Sequence, residues 1–173
     1  MSIEPHRTML VLGGARSGKS RYAQGLAETA GGRLVFVATA QAFDAEMADR
    51  IRRHREDRDA RWTTVEAPLD LAGAIAAADG ADAVLLVDCL TLWASNLLLG
   101  EEDAEAHIAA LLEALRTARA RVLLVANEVG LGIVPDNALA RRFRDLAGTI
   151  NQRVAAAVGG VHMTVAGLPI VVK

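Results

Sequence analysis

Short apolar runs alternate with longer segments of helical periodicity along this chain. The apolar runs predict strands at residues 8–12, 34–38, 62–65, 84–87 and 122–126, followed by a hairpin formed by residues 161–166 and 170–172 around Gly167-Leu168-Pro169. The intervening segments predict helices at 20–30, from about residue 44, and at 69–78, 104–119 and 137–158. This alternation predicts an α/β fold with a mostly parallel sheet covered on both faces and a C-terminal antiparallel hairpin.

The predicted topology also locates a site. Ligands of parallel α/β sheets bind outside the carboxyl ends of the strands. We therefore expect the loops after Leu12, Ala38, Val87 and Ala126 to face one another. No internal repeat or linker interrupts the 173 residues, which predicts a single domain spanning 1–173.

Composition narrows the class of protein. The chain is 52% hydrophobic with a net charge of −2, which argues against a general nucleic-acid binder because such proteins need a basic face. Its one cysteine, Cys89, fits a reducing compartment. No apolar run approaches the ~20 residues of a membrane helix, and the first nine residues lack a signal peptide's apolar segment. We therefore expect a cytoplasmic protein with no stable membrane insertion.

A glycine-rich segment after the first strand has the Walker A sequence, G-G-A-R-S-G-K-S. Its residues are Gly13, Gly14, Ala15, Arg16, Ser17, Gly18, Lys19 and Ser20. In such a loop, backbone N–H groups and the following helix N-terminus bind phosphate oxygens. Lys19 is expected to reach the β- and γ-phosphates, and Ser20 to hold Mg²⁺. Apart from Lys173, Lys19 is the only lysine in a chain that otherwise uses arginine.

The run V-L-L-V-D, residues 84–88, has the form of a Walker B strand, in which the terminal acid reaches the metal ion. Many buried strands end in an acid, so this run alone is weak evidence. Paired with the phosphate-binding loop, it predicts that Asp88 and Ser20 hold Mg²⁺ beside a nucleoside triphosphate.

The segment R-I-R-R-H-R-E-D-R, residues 50–58, places His54 among five arginines. Helical spacing carries the inward stripe of Phe43, Met47 and Ile51 on to His54. Nearby positive charge disfavours the imidazolium, and neutral imidazole is the nucleophilic form. From these residues alone, however, a structural histidine is the more common outcome, and a catalytic one stays an alternative.

Four segments together resemble the bifunctional adenosylcobinamide kinase / adenosylcobinamide-phosphate guanylyltransferase family of cobalamin biosynthesis. They are GGARSGKSRYA, VATAQAFDAEMADRIRRHR, VDCLTLWASNLL and NEVGLGIVPDNALARRFRDLAGTINQRVA. The last is the most specific, since Walker A occurs in many families. The resemblance implies a RecA-like, three-layer P-loop NTPase fold, ATP and GTP as substrates, adenosylcobinamide and its phosphate as acceptors, and a homotrimer.

The resemblance also implies roles for particular residues. His54 would carry GMP as a guanylylated histidine; the family often has two adjacent histidines here, whereas this chain has Arg53-His54. Glu56-Asp57 stand where the family often has a glycine. The nucleotide contacts would be Gly13 to Ser20, Ala38, Thr39, Ala40, Arg55, Glu56, Asp57, Arg58, Glu66 and Asp88.

Three acidic or amide residues leave alternatives open. Glu66 could accept hydrogen bonds from guanine or from ribose, or be an ordinary exposed acid. Asn127 and Glu128 could orient a water or a substrate hydroxyl, or serve in capping and turn formation. Two rival functions also remain: a small-molecule kinase without guanylyl transfer, and a nucleotide-controlled switch.

Overall fold

The computed structural model describes residues 6–41 and 59–173. Within these ranges the strands are β1 Thr8–Gly13, β2 Arg33–Ala38, β3 Trp62–Glu66, β4 Ala83–Asp88, β5 Arg121–Asn127, β6 Gly160–Val165 and β7 Leu168–Val171. The helices are α1 Lys19–Ala30, α2 Leu71–Ala78, α3 Leu90–Leu99, α4 Ala104–Thr117 and α5 Ala138–Ala157. The helix expected from about residue 44, and with it His54, lies outside the described residues.

The strands form one sheet in the order β3-β2-β4-β5-β1-β6-β7. The five strands β1 to β5 and the β1–β6 pair are parallel, and only β6 and β7 are antiparallel. The mostly parallel sheet with a closing hairpin is thus confirmed. β5 lies between β1 and β4, so the strand that enters the Walker A loop and the strand that ends in Asp88 are separated by one strand.

Helices cover both faces of the sheet, which gives three layers. On one face, Leu10, Val35 and Leu85 pack with the buried side chains of α2 to α5. On the other face, Met9 and Val11 pack with Ala23 and Ala27 of α1, among others. Alternate residues of each strand supply the two cores, as the period-two geometry of a strand requires.

Helix α3 was not expected from the sequence. It begins directly after Cys89 and buries residues on nearly all sides, including Leu90, Trp93 and Leu97. An apolar segment without a polar face lacks the amphipathic period on which a helix prediction depends. The indole N–H of Trp93 donates to the carbonyl of Leu69 at 2.7 Å, which joins α3 to the segment before α2.

The closing hairpin turns earlier than expected. Gly167-Leu168-Pro169 was predicted as the connection, but Leu168 and Pro169 belong to β7. The turn consists of Ala166 and Gly167, both with positive φ, at 51° and 83°. Two successive positive φ values are typical of a tight two-residue hairpin, whose twist matches that of the strands.

Among the described residues, no helix is both long enough and apolar enough to cross a bilayer.

Candidate functional site

The Walker A loop connects β1 to α1 as the sequence predicts. Gly18 has φ of 92° and is the N-cap residue of α1, where a glycine has no side chain to cap the first N–H groups. A side chain at Gly18 would also lie 3.2 Å from Cα of Gly167 in the hairpin turn. The positive φ therefore favours glycine here, and a side chain would also crowd the hairpin turn. The uncapped helix N-terminus is the part of the loop suited to bind an anion.

Internal hydrogen bonds hold the loop in shape. The N–H of Ser17 donates to the carbonyl of Gly14 at 3.3 Å, and Nζ of Lys19 donates to the same carbonyl at 3.2 Å. The N–H of Gly167 donates to the carbonyl of Ser17 at 2.9 Å. The β6–β7 turn thus supports the loop from outside, a contact that no local sequence pattern predicts.

The strands β2, β3 and β4 end at the same level, and each ends in a predicted site residue. Ala38 is in register with Glu66 on one side and with Asp88 on the other. Asp88 is level with Val125 of β5, and Gly13 is level with Asn127 two residues further on. The carboxyl ends of β1, β2, β4 and β5 therefore lie along one edge of the sheet, as the sequence predicts.

Strand alternation also sets the direction of these side chains. Phe36, Leu86 and Val125 pack in the core on the α1 face. Residues at even spacing from them, Ala38, Asp88 and Asn127, are on that same face. The polar strand ends therefore share the face of the sheet from which the phosphate-binding loop and α1 rise. Glu66 is exposed at the far end of this row.

The side chain of Thr39, one of the predicted contacts, is hydrogen-bonded within the protein itself. It is completely buried, and its hydroxyl donates to the carbonyl of Cys89 at 2.8 Å and accepts from the N–H of Cys89 at 2.8 Å. Its own N–H donates to the carbonyl of Asp88 at 3.2 Å. Thr39 therefore ties the end of β2 to the end of β4.

The pKa of the Cys89 thiol depends on the charged residues near it. Burial raises the pKa of the Cys89 thiol to about 11, and the negative charge of Asp88 adds to this effect. The positive charge of Lys19 acts in the opposite direction on the same pKa. Lys19 at the start of α1 and Asp88 at the end of β4 thus both lie close enough to the thiol to influence its pKa.

The donor set at this edge fits Mg²⁺. Ser20 in the first turn of α1 and Asp88 at the end of β4 offer a hydroxyl and a carboxylate, which are hard oxygen ligands. Within residues 6–41 and 59–173, no group of three or more His, Cys, Asp or Glu side chains is placed to hold a metal ion. One hydroxyl and one carboxylate suit an ion that keeps waters and binds phosphate oxygens.

Three polar residues that pattern reading missed hold the strand ends in place. Asn96 donates to the carbonyls of Thr39 and Pro68, at 2.8 and 2.9 Å. Thr91 accepts from the N–H of Asn127 at 2.7 Å, and Asn151 donates to its carbonyl at 3.1 Å. All three are buried. A polar residue inside an otherwise apolar helical run, as in LTLWASNLLL, is the signal that could have found Thr91 and Asn96.

The remaining predicted residues, His54, Arg55, Glu56, Asp57 and Arg58, lie outside the described residues.

The glycine-rich loop, the helix N-terminus that follows it and the acid across one intervening strand define the RecA-like P-loop NTPase fold. Solved structures share this fold. One is an ATPase from the type III secretion system of pathogenic bacteria, with a TM-score of 0.56 and 13% identity over 90% of this chain and 50% of that one. Another is the flagellar accessory protein FlaH from Methanocaldococcus jannaschii, with a TM-score of 0.51 and 14% identity over 98% and 79%.

Sequence comparison identifies the family. The model of the cobinamide kinase / cobinamide phosphate guanyltransferase family matches residues 9–172, and this chain belongs to that family. A bifunctional adenosylcobalamin biosynthesis protein from Pseudomonas aeruginosa is 49% identical over 95% of this chain and 96% of its own length. One from Salmonella typhimurium is 43% identical over 95% and 99%.

Proposed function

We propose that this protein catalyses two successive reactions of cobalamin biosynthesis. It first phosphorylates the aminopropanol hydroxyl of adenosylcobinamide with ATP or GTP. It then transfers GMP from GTP to that phosphate, through a guanylylated His54, to give adenosylcobinamide-GDP and pyrophosphate. The observation that carries the proposal is the common edge of the sheet, where a phosphate-binding loop and Asp88 face one another in a chain of this family.

In the kinase reaction, the loop residues bind and orient the triphosphate. Backbone N–H groups of residues 13–20 and the N-terminus of α1 neutralise phosphate charge, and Lys19 reaches the β- and γ-phosphates. Ser20 and Asp88 would hold Mg²⁺, which supplies further charge neutralisation when bound. The acceptor hydroxyl oxygen attacks the γ-phosphorus and its proton passes to solvent, while the bond to the β–γ bridging oxygen breaks and the nucleoside diphosphate leaves with the electron pair.

The nucleoside is proposed to extend along the strand ends away from the loop. Ala38 and Ala40 would contact it through the chain around Thr39, whose own hydroxyl is bonded to Cys89. Glu66, exposed at the end of the neighbouring β3, would accept hydrogen bonds from guanine or ribose. Arg55, Glu56, Asp57 and Arg58 complete the proposed nucleotide contacts.

In the guanylyl transfer, a ring nitrogen of neutral His54 attacks the α-phosphorus of GTP. The bond from that phosphorus to the α–β bridging oxygen breaks, and pyrophosphate leaves with the electron pair. An oxygen of adenosylcobinamide phosphate then attacks the same phosphorus and displaces the imidazole. The covalent intermediate divides one difficult displacement into two easier ones.

Two labelled nucleotides test the reaction order. With γ-labelled ATP and adenosylcobinamide, the label should appear in a corrinoid phosphate. With α-labelled GTP and that product, the label should move into adenosylcobinamide-GDP, with release of one pyrophosphate per product. Transfer from the γ-position alone would support a simple kinase, and slow hydrolysis without a labelled corrinoid would support a nucleotide-controlled switch.

We further propose that the protein works as a homotrimer in the cytoplasm. Leu131, Ile133 and Val134 in the loop after β5 are strongly exposed, and so are four side chains at the β7 edge. These four are Leu168, Ile170, Val171 and Val172. Exposed apolar groups of this size support an interface between copies. Sedimentation equilibrium should give three times the mass of the chain.

A further inference from the structure

Asn127 stands at the end of β5, between the two strands that carry the proposed kinase residues. It is level with Gly13 of β1, while Asp88 of β4 is level with Val125. Neighbouring strands are ~4.8 Å apart and each residue rises ~3.3 Å, so with this two-residue offset Gly13 and Asp88 lie ~12 Å apart on either side of β5. A terminal phosphoryl group that extends from the loop toward Asp88 therefore passes over Asn127.

The main chain of Asn127 is fixed by side chains from two helices. Its N–H donates to Thr91 of α3 at 2.7 Å, and its carbonyl accepts from Asn151 of α5 at 3.1 Å. The next N–H, that of Glu128, donates to the carbonyl of Gly13 at 3.1 Å. These contacts hold the backbone and leave the carboxamide unused, so they set the position of Asn127 relative to the loop.

The carboxamide has unused hydrogen-bonding capacity. Its Oδ1 is buried, and no described residue donates to it. Within the described ranges, four buried side-chain atoms are in this condition, and three of them surround Gly13: Ser17 Oγ, Thr164 Oγ1 and Asn127 Oδ1. Thr164 is level with Gly13 on β6, and Ser17 occupies the space where a side chain of Gly13 would lie.

Such atoms destabilise a folded protein by about 1–3 kcal/mol each unless something bonds them. Their concentration beside the phosphate-binding loop, rather than through the core, indicates that binding uses this region. Since no protein hydrogen bond holds Oδ1, the carboxamide can turn about its last side-chain bond and present N–H to a phosphate oxygen.

We infer that Asn127 contacts the terminal phosphoryl group of the bound nucleotide, donating a hydrogen bond from its carboxamide. The inference rests on the proposed function, because it assumes a bound nucleoside triphosphate. It concerns a residue outside the Walker A motif and the Walker B strand. Asn127 then distinguishes triphosphate from diphosphate and helps to stabilise the charge on the γ-phosphoryl group during transfer.

Calorimetric binding of GDP and of a non-hydrolysable GTP analogue tests this inference. Asn127→Ala should weaken binding of the analogue about 10-fold or more, as expected for a lost hydrogen bond to a charged group, and leave GDP within about twofold. Asn127→Asp, nearly identical in shape, should weaken the analogue further, because its charge repels phosphate. Gln152→Ala, which removes an exposed carboxamide on α5, is the control and should change neither.

Equal losses for both nucleotides, or unchanged binding of the analogue by folded Asn127→Ala protein, would overturn the inference. Thermal unfolding of Asn127→Ala distinguishes a binding role from a structural one. Because no described residue donates to the side-chain oxygen of Asn127, its removal should not lower the unfolding midpoint. The binding comparison needs no cobinamide. The wild type could fail to phosphorylate cobinamide while Asn127→Ala still loses affinity for the GTP analogue and not for GDP. In that case the proposed acceptor is wrong and the inference stands.

Discussion

The hydroxyl of Thr39 hydrogen-bonds both backbone polar groups of Cys89. It donates to the carbonyl of Cys89 and accepts from its N–H, each at 2.8 Å. Through this pair, the ends of β2 and β4 are joined just beyond Ala38 and Asp88. The family resemblance implies that Thr39 contacts the nucleotide. Its side chain, however, supports the end of the strand that carries Asp88.

This pairing predicts a specific loss of stability. Thr39→Val keeps the shape of the side chain but leaves the buried N–H and carbonyl of Cys89 without the hydroxyl, so unfolding free energy should fall by about 2–4 kcal/mol. Thr39→Ser retains the hydroxyl and should lose far less. Urea denaturation of the three proteins measures the difference. Equal midpoints for valine and serine would show that the two hydrogen bonds contribute nothing.

The two lysines of the chain should have separable effects. Lys19→Ala should lower kcat/KM for γ-phosphoryl transfer about 100-fold or more, because it removes a positive charge proposed to act on the transferred group. Lys173 donates to three carbonyls at the end of α5, including that of Val158 at 2.7 Å.

Lys173→Ala is therefore the matched control. It should lower unfolding free energy by about 0.5–1 kcal/mol and leave phosphoryl transfer nearly intact. Steady-state kinetics and urea denaturation of both variants check the separation. Similar kinetic losses in the two would mean that the charge at the loop has no special role.

The thiol of Cys89 should be unreactive in the folded protein. Burial and the nearby Asp88 raise its pKa to about 11, so the thiolate that reacts with electrophiles is scarce at pH 8. Alkylation by iodoacetamide should be slow in buffer and fast in denaturant. Because the chain has one cysteine, mass spectrometry gives an unambiguous readout. Fast labelling of the native protein would contradict the described burial.

Stability should depend on pH through His162. Burial, with a smaller effect from His6, lowers the pKa of His162, so the folded state disfavours its protonated form. A depressed histidine pKa contributes stability that is present above the unfolded pKa of about 6.5 and is lost as pH falls through the folded pKa. Unfolding free energy of the wild type should therefore decline between pH 7 and pH 5.

The variant His162→Gln isolates that group. Nδ1 of His162 pairs with the hydroxyl of Tyr22 at 2.7 Å, and glutamine offers an uncharged alternative partner. His6, Tyr22 and Arg121 line the same small cavity and remain in both proteins. The wild type should lose more stability than the variant between pH 7 and pH 5. Parallel curves would assign the decline to other groups.

The sequence predicted the parts of this site that follow from local pattern. The strands are predicted by apolar runs, and the phosphate-binding loop is predicted by the glycines among residues 13–18. Thr91, Asn96 and Asn151 escaped because each is a single polar residue whose partner is distant in sequence. The brace from Gly167 to Ser17 escaped for the same reason, since no local pattern records a contact across 150 residues. Helix α3 escaped because burial on nearly all sides removes the amphipathic period.

The central claim is that His54 becomes guanylylated, and α-labelled GTP tests it most directly. After incubation and denaturation, label should remain on the wild-type protein, be lost in acid, survive alkali and be absent from His54→Ala. The same variant should keep γ-phosphoryl transfer, since that step does not use the imidazole. Undiminished label on folded His54→Ala, or none on wild-type protein that binds GTP, would contradict the account.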